Sequence, residues 1–231
     1  MLVTARDEAQ RLPRTLGALA ASVPGARVVV ADDGSRDATA AIARAAGVEV
    51  LTNGGARGKG EAATLAARHL LRTADEAPER MIVLLCDADL GESAGQLGEL
   101  VSTVARGDAD LAVAAFVGAP AAGLGVAVGF ARWSLQRRCG LTLDAPISGQ
   151  RALRGDVLAA TLPFAHGFGM EMGMTIDARR NGYRVHEIPL HLQHRATGRD
   201  VRGFVHRGRQ LLDFARVHVR SRSTSQEGAA R

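Results

Sequence analysis

The 231-residue sequence is poor in aromatic side chains: one Trp, one Tyr and six Phe make up 3% of it. Proteins that hold single-stranded nucleic acid stack the bases on aromatic platforms, so this composition argues against that class. Cysteine is scarce too. Cys86 and Cys139 stand far apart with no Cys-x-x-Cys spacing, which suggests neither a disulfide framework nor a zinc site. Cys86 reads as core filler, and a reducing cytosol is the expected compartment. A secretory leader is not expected, because Arg6, Asp7 and Glu8 interrupt the N-terminal apolar residues. One uncharged stretch, Leu111 to Ala131, has the length to cross a bilayer. Pro120 and Gly118, Gly123, Gly125 and Gly129 interrupt it, and a strand, a Gly/Ala-rich loop and a helix explain it better.

What is present is an ordinary globular balance, 46% hydrophobic and 23% charged, with a net charge of +5. The positive excess favours an anionic partner, whether nucleic acid, a nucleotide derivative or an anionic membrane surface. Apolar runs of strand length at Leu2–Ala5, Ala26–Ala31, Val48–Thr52, Met81–Cys86 and Asp110–Phe116 alternate with helical patterns over Glu8–Ala21, Asp37–Ala46, Glu61–Leu71 and Ser93–Arg106. Such alternation predicts right-handed βαβ units and an α/β fold with a mostly parallel, Rossmann-like sheet flanked by helices. Residues 1–115 form the expected nucleotide-binding half and 116–198 a second half. The second half holds a helix through Trp133, Leu135 and Arg138, a loop or short strand at Pro146–Arg151, a helix at Met170–Asn181 and a strand at Tyr183–Leu190. From 199 to 220 the pattern is a basic amphipathic helix with Phe204, Leu211, Leu212, Phe214 and Val217 on one face. Residues 221–231 are polar and expected to be disordered.

Two strand ends carry paired acids. The run Met81–Cys86 stops at Asp87-Ala88-Asp89, and the second strand stops at Asp32-Asp33-Gly34-Ser35. Ligands of open α/β sheets collect at the carboxyl ends of the strands. Two carboxylates there make a hard-oxygen site for Mg²⁺ or Mn²⁺ carrying a phosphorylated substrate. Asp32 or Asp33 suits a base N–H or a ribose hydroxyl, while Ser35 or Asp37 can cap the next helix. Gly58-Lys59-Gly60 is too short for a P-loop, yet a lysine between glycines at a helix start suits an anion.

Taken together, Thr4-Ala5-Arg6-Asp7-Glu8, Asp32-Asp33-Gly34-Ser35, Gly58-Lys59-Gly60-Glu61-Ala62, Asp87-Ala88-Asp89, Asp144–Ala152, Gly167–Glu171 and Gly182–Pro189 stand in the order and spacing of the family 2 glycosyltransferases. The chain resembles these over residues 1–195, and within them the dolichyl- and polyprenyl-phosphate sugar transferases. The resemblance implies the GT-A fold, a UDP- or GDP-linked sugar donor and Mg²⁺ or Mn²⁺. It implies donor binding by Thr4, Arg6, Glu8, Asp32, Asp33, Lys59, Asp87 and Asp89, with Asp87, Asp89 and His194 as metal ligands (His191 being the alternative histidine). Ser148, Gln150, Arg151 and Glu171 fall on the acceptor side, Arg151 near an acceptor phosphate, and Asp89 and Arg151 carry the expected catalytic roles. Arg195 or Arg199 falls where a late arginine meets the donor diphosphate.

The sequence departs from that pattern at Thr4, where the family has proline, and at Gly91, where a third metal ligand can stand. The first strand is short, which puts the expected start upstream, and no hydrophobic C-terminal anchor is apparent. If the acceptor is an ionised phosphate, no general base is needed; if it is a hydroxyl, an inverting enzyme needs one and Glu171 is the candidate. A polyprenyl phosphate at the cytoplasmic membrane face is the leading acceptor, and the basic helix suits that surface. A small phosphorylated acid such as phosphoglycerate is the alternative. A nucleotidyltransferase or a nucleic-acid binder would be a different class, the first normally carrying a Gly-rich basic signature that Leu2–Arg11 lacks.

Overall fold

A computed structural model describes residues 1–52, 58–117, 125–193 and Val217, apart from the side chains of Val126 and Phe168. Its strands are β1 (Leu2–Ala5), β2 (Val29–Asp32), β3 (Glu49–Thr52), β4 (Ile82–Asp87), β5 (Leu111–Phe116), β6 (Arg151–Arg154) and β7 (Val185–Leu190). They form one seven-stranded sheet in the order β3-β2-β1-β4-β6-β5-β7. β1 pairs in parallel with β2 and β4, and β2 with β3. β6 runs antiparallel between β4 and β5, and β7 is parallel to β5. The mostly parallel sheet expected from the sequence is thus present, with one reversed strand. That strand escapes a pattern reading because Arg151-Ala152-Leu153-Arg154 is too short to show an alternation.

The helices are α1 (Leu12–Ser22), α2 (Thr39–Ala45), α3 (Lys59–Arg72), α4 (Gly98–Ala105), α5 (Gly125–Cys139), α6 (Gly155–Ala160) and α7 (Met170–Arg180). Period-two alternation along the strands feeds two cores. Leu2, Val29, Ala31, Val83, Leu85, Leu111, Val113 and Leu153 face Ala62, Ala63, Ala66 and Ala67 of α3, together with α5, α6 and α7. Val3, Val30, Leu84, Cys86, Ala112 and Ala114 face Leu12, Leu16 and Leu19 of α1 and Leu97, Leu100 and Val104 around α4. Each fully buried leucine contributes about 1.5–3 kcal/mol relative to exposure, so both layers hold the sheet between them. Burial pushes the Cys86 thiol well above its ordinary range, with Asp87 adding to the effect, which fits core filler.

Three boundaries move for identifiable reasons. The first helix begins at Leu12 rather than Glu8, with Pro13 in its opening turn, where a fixed φ is already helical and no donor is missed. The expected helix Ser93–Arg106 divides into a 3₁₀ segment, Gly91–Leu97, followed by α4. At the junction a β-carbon on Gly98 would lie 3.3 Å from the Ser22 carbonyl oxygen, so α1 packs against bare backbone. The uncharged stretch resolves into β5 and α5, with residues 118–124 outside the described residues. Among the described residues no helix is long and apolar enough to cross a membrane. The basic helix expected at 199–220 and the tail at 221–231 lie outside the described residues, except for Val217, which is buried with the α3–α5–α7 core.

Candidate active site

The parallel strands β1, β2 and β4 deliver their carboxyl ends to one edge of the sheet, and the acidic motifs sit there. The two loops after β1 and β2 are knitted together by side chains capping backbone. Asp33 donates its backbone N–H to the Ala5 carbonyl at 3.0 Å. Asp7, in the left-handed region at φ 55, accepts the Arg36 N–H at 2.7 Å and donates its own N–H to the Ser35 hydroxyl. Glu8 N–H donates to the Thr39 hydroxyl at 2.8 Å and Ala9 N–H to Asp37 at 3.1 Å. The Asp37 carboxyl lies below its usual range chiefly because Thr39 donates to it.

Within this framework the two expected base-gripping acids already have protein partners. Asp32 is buried, and its Oδ1 accepts from both the Ser35 N–H and hydroxyl, closing the turn that Gly34 opens at φ +70. Asp33 accepts the Gly58 N–H at 2.7 Å on one oxygen and Arg6 at 3.1 Å on the other. Asp32 therefore acts as a turn-former, and Asp33 ties the half-exposed Arg6 to the start of α3. Each accepts two of these bonds, where a carboxylate offers about four acceptor sites.

At the end of β4, Asp87 gathers groups from distant parts of the chain. Its Oδ1 accepts the Thr4 hydroxyl at 2.8 Å and the Lys59 ammonium at 2.7 Å. Its Oδ2 accepts the Gln150 side-chain amide at 3.0 Å, while the Gln150 oxygen takes the Asp87 N–H. Lys59, in the first turn of α3, also reaches Glu171 of α7 at 2.8 Å. Burial works to lower the Lys59 pKa, but the two carboxylates outweigh it and hold the ammonium charged. Burial likewise works to raise Asp87, yet Lys59, Gln150 and Thr4 hold its carboxyl below the usual range.

The residues before β6 complete the arrangement, and the strand's direction explains why. An antiparallel strand is entered from the carboxyl end of its parallel neighbours, so 146–150 must cross the site edge. Gln150 reaches Asp87 in this way. Gly149, which sequence reasoning did not single out, lies closer still: a β-carbon there would sit 2.6 Å from Asp87 Oδ2 and 2.8 Å from Lys59 Nζ. Ser148 is buried and helps shape the turn, its oxygen 3.4 Å from the Gln150 N–H. Glu187 of β7 anchors the same loop by accepting the Asp144 and Ala145 N–H groups.

Arg151 corrects an expectation. Its guanidinium is fully buried and is used by protein oxygens: Nε donates to the Ser148 carbonyl at 2.8 Å, Nη1 to Thr175 at 2.7 Å and Nη2 to the Pro146 carbonyl at 3.1 Å. Burial pushes its pKa down to about 10, with Glu171 and Glu187 opposing the fall, so it remains a cation at neutral pH. In this structure Arg151 positions the 146–150 loop on α7 instead of facing an acceptor phosphate. A motif cannot reveal that, because an arginine's burial depends on which strand the sheet places beside it.

Asp89 is half-buried just beyond β4. Among the described residues no group of three or more His, Cys, Asp or Glu gathers in a way that could hold a metal ion. His194, Arg195 and Arg199 lie outside those residues. His191 is exposed, and its backbone is clamped by Gln96, which accepts its N–H at 3.0 Å and donates to its carbonyl at 2.8 Å. The next link, Gln193, donates its N–H to Ser93, whose hydroxyl donates to the Leu90 carbonyl. Gln193, the last described residue of this segment, is thus tied through Ser93 to the turn after β4. Two carboxylate residues at a strand end fit a hard divalent cation of the Mg²⁺ type, which takes one or two carboxylates and completes its shell with phosphate oxygens and water.

The model of the family described as glycosyl transferase family 2 matches residues 1–127, more than half of the chain. The chain is a family 2 glycosyltransferase. It is 30% identical over 209 residues to an undecaprenyl-phosphate mannosyltransferase of Micrococcus luteus, covering 85% of this chain and 84% of that one. Glucosyl-3-phosphoglycerate synthase of Mycobacterium tuberculosis in complex with phosphoglyceric acid has a TM-score of 0.75 at 24% identity, over 95% of this chain and 78% of that one. The same enzyme with Mn²⁺, UDP-glucose and phosphoglyceric acid gives 0.71 at 25% identity, over 94% and 78%. The fold of this glycosyltransferase is therefore GT-A, and the nucleotidyltransferase and nucleic-acid-binder alternatives fall away.

Proposed function

We propose that this glycosyltransferase moves a sugar from a nucleoside diphosphate to a polyprenyl phosphate at the cytoplasmic face of an anionic membrane, with Mg²⁺ or Mn²⁺ at Asp87 and Asp89 and His194 as a further ligand. The observation that carries the chemistry is the strand-end cluster, in which one ammonium faces the two carboxylates of Asp87 and Glu171. That negative excess suits a divalent cation, which when bound neutralises the departing nucleoside diphosphate. Arg6 and Glu8, with Asp33 behind Arg6, line the base and ribose side. Thr4 and Gln150 orient the Asp87 carboxylate, and Lys59 offers a positive charge to the diphosphate.

The acceptor is argued from Glu171. Its carboxylate is buried and already engaged by the Lys59 ammonium at 2.8 Å, so it stands as that group's structural partner. A phosphate acceptor is already ionised and asks for no base. The undecaprenyl-phosphate mannosyltransferase relative supports the same choice. The second reading, transfer to phosphoglycerate, is supported by the glucosyl-3-phosphoglycerate synthase complex.

One assay separates them. UDP- and GDP-linked sugars are offered with Mn²⁺, Mg²⁺ or EDTA, either with undecaprenyl phosphate in anionic vesicles or with 3-phosphoglycerate in buffer. Metal-dependent product only in the lipid arm, with co-sedimentation of the protein, upholds the leading reading. Product only in the soluble arm replaces it with the second. Thermal shift with each nucleotide identifies the base, since a ligand at 100 times its Kd adds about 2.7 kcal/mol.

A further inference from the structure

Lys59 does more in this structure than present a charge to a passing anion: it already neutralises Asp87, one of the carboxylates proposed above to hold a metal. The carboxylate is nearly saturated. Thr4 and Lys59 share Oδ1, and Gln150 takes Oδ2. The Gly149 backbone passes close to Oδ2, where only the lack of a side chain leaves room, since a β-carbon there would stand 2.6 Å away. Of these partners only the ammonium belongs to a long, flexible side chain. The Gln150 amide is locked by its second bond to the Asp87 backbone, and Thr4 sits within β1, directly beside Asp87 in the sheet register.

A divalent ion reaching Asp87 alone must therefore turn Lys59 away while leaving it within a few ångströms of two added positive charges. Glu171 holds the ammonium near by, at 2.8 Å, so it cannot simply retreat to water. Buried charges deprived of partners are costly. A nucleoside diphosphate changes the balance, because its oxygens accept the ammonium and ligate the metal at once.

We infer that Lys59 is the resident cation of Asp87, and that it makes metal binding at this strand end conditional on the diphosphate of the nucleotide. This rests on the donor-site reading given above. Metal and nucleotide then bind with positive coupling, and by linkage each raises the affinity of the other by the same factor. The glycine at 149 belongs to the device, since any side chain there would displace Lys59 from its station.

The test is Mn²⁺ binding to the intact protein, followed by the electron paramagnetic resonance signal of free Mn²⁺, with and without UDP or GDP. For wild type, the expected result is weak binding of the metal alone and about tenfold or greater tightening with one nucleotide, within the usual range of coupling. Lys59→Met and Lys59→Gln should bind Mn²⁺ alone about tenfold more tightly than wild type and lose most of the coupling. Circular dichroism establishes that each variant is folded. If neither variant folds, wild type decides: nucleotide-independent Mn²⁺ affinity overturns the inference and strong coupling upholds it. Folded variants with no gain in bare Mn²⁺ affinity overturn it, while leaving the donor site standing wherever nucleotide still tightens the metal. No Mn²⁺ and no nucleotide binding in wild type overturns the donor-site reading itself, and the inference with it.

Discussion

The two ends of the sheet both gather acids and bases, and they differ in whether the charges balance. At the amino end of β5, Asp110 accepts the Arg184 N–H at 2.8 Å and its guanidinium at 3.1 and 3.2 Å, and Arg154 at 3.3 Å. Arg154 pairs also with Asp156 and lies 6.0 Å over the Tyr183 ring. Two arginines thus meet two aspartates, and the loops before β5 and β7 are fastened to the end of β6. At the carboxyl end, Lys59 meets Asp87 and Glu171 and the buried Arg151 acts on Glu171 and Glu187, so two cations face three carboxylates. The balanced cluster is complete as it is. In the unbalanced one Lys59 stands between two acids, and the leftover negative charge suits the divalent cation proposed above. Perturbed ionisable groups occur in structural and functional clusters alike, and here the residual charge tells them apart.

Breaking the unbalanced end should have the largest effect on activity. Asp87→Asn keeps the shape of the side chain but removes the charge that Lys59 and a metal both need. Sugar transfer should fall by about a hundredfold or more, as for other losses of a preorganised electrostatic group. The measurement is an initial rate at saturating donor, beside a melting curve that shows the fold retained.

Arg151→Met should have the largest effect on stability. It strips three buried oxygens of their donor, and at about 1–3 kcal/mol for each buried group left unsatisfied, a loss near 3 kcal/mol is expected in urea unfolding. Activity should fall too, through the 146–150 loop. Full stability in this variant would show that the loop does not need the guanidinium.

The smallest effect is expected at the balanced end. Asp110→Asn should cost about 1–2 kcal/mol with transfer rates unchanged. Burial works to raise the Asp110 carboxyl, but Arg184 and Arg154 prevail and hold it below the ordinary range. A depressed pKa contributes stability that is complete above the unfolded value of about 4 and is lost as pH falls through the folded value. The stability gap between wild type and Asp110→Asn should therefore be constant near neutrality and close only below about pH 4. A changed rate in this variant would undo the contrast between the two ends.

The same contrast explains what was legible in the sequence. The apolar strands β1, β2 and β4 and the acids at their ends are local patterns, because burial on both faces demands continuous apolar runs. Lys59 and Asp87 were visible as candidates but not as partners, since they stand 28 positions apart in the sequence and only the packing of α3 on the sheet joins them. Arg151 was read as facing a ligand because the motif gives residue type and order but not the side of the strand. Gly149 was invisible for a simpler reason: a glycine announces no chemistry, and its importance lies in the volume it leaves to Asp87 and Lys59.

The clamp of Gln96 on His191, extended by Ser93 on Gln193, has a further consequence as a tether. It fastens the segment after β7 at two points to the 3₁₀ turn that follows Asp89. Whatever moves the turn after β4 must therefore carry the end of β7 with it or break these hydrogen bonds.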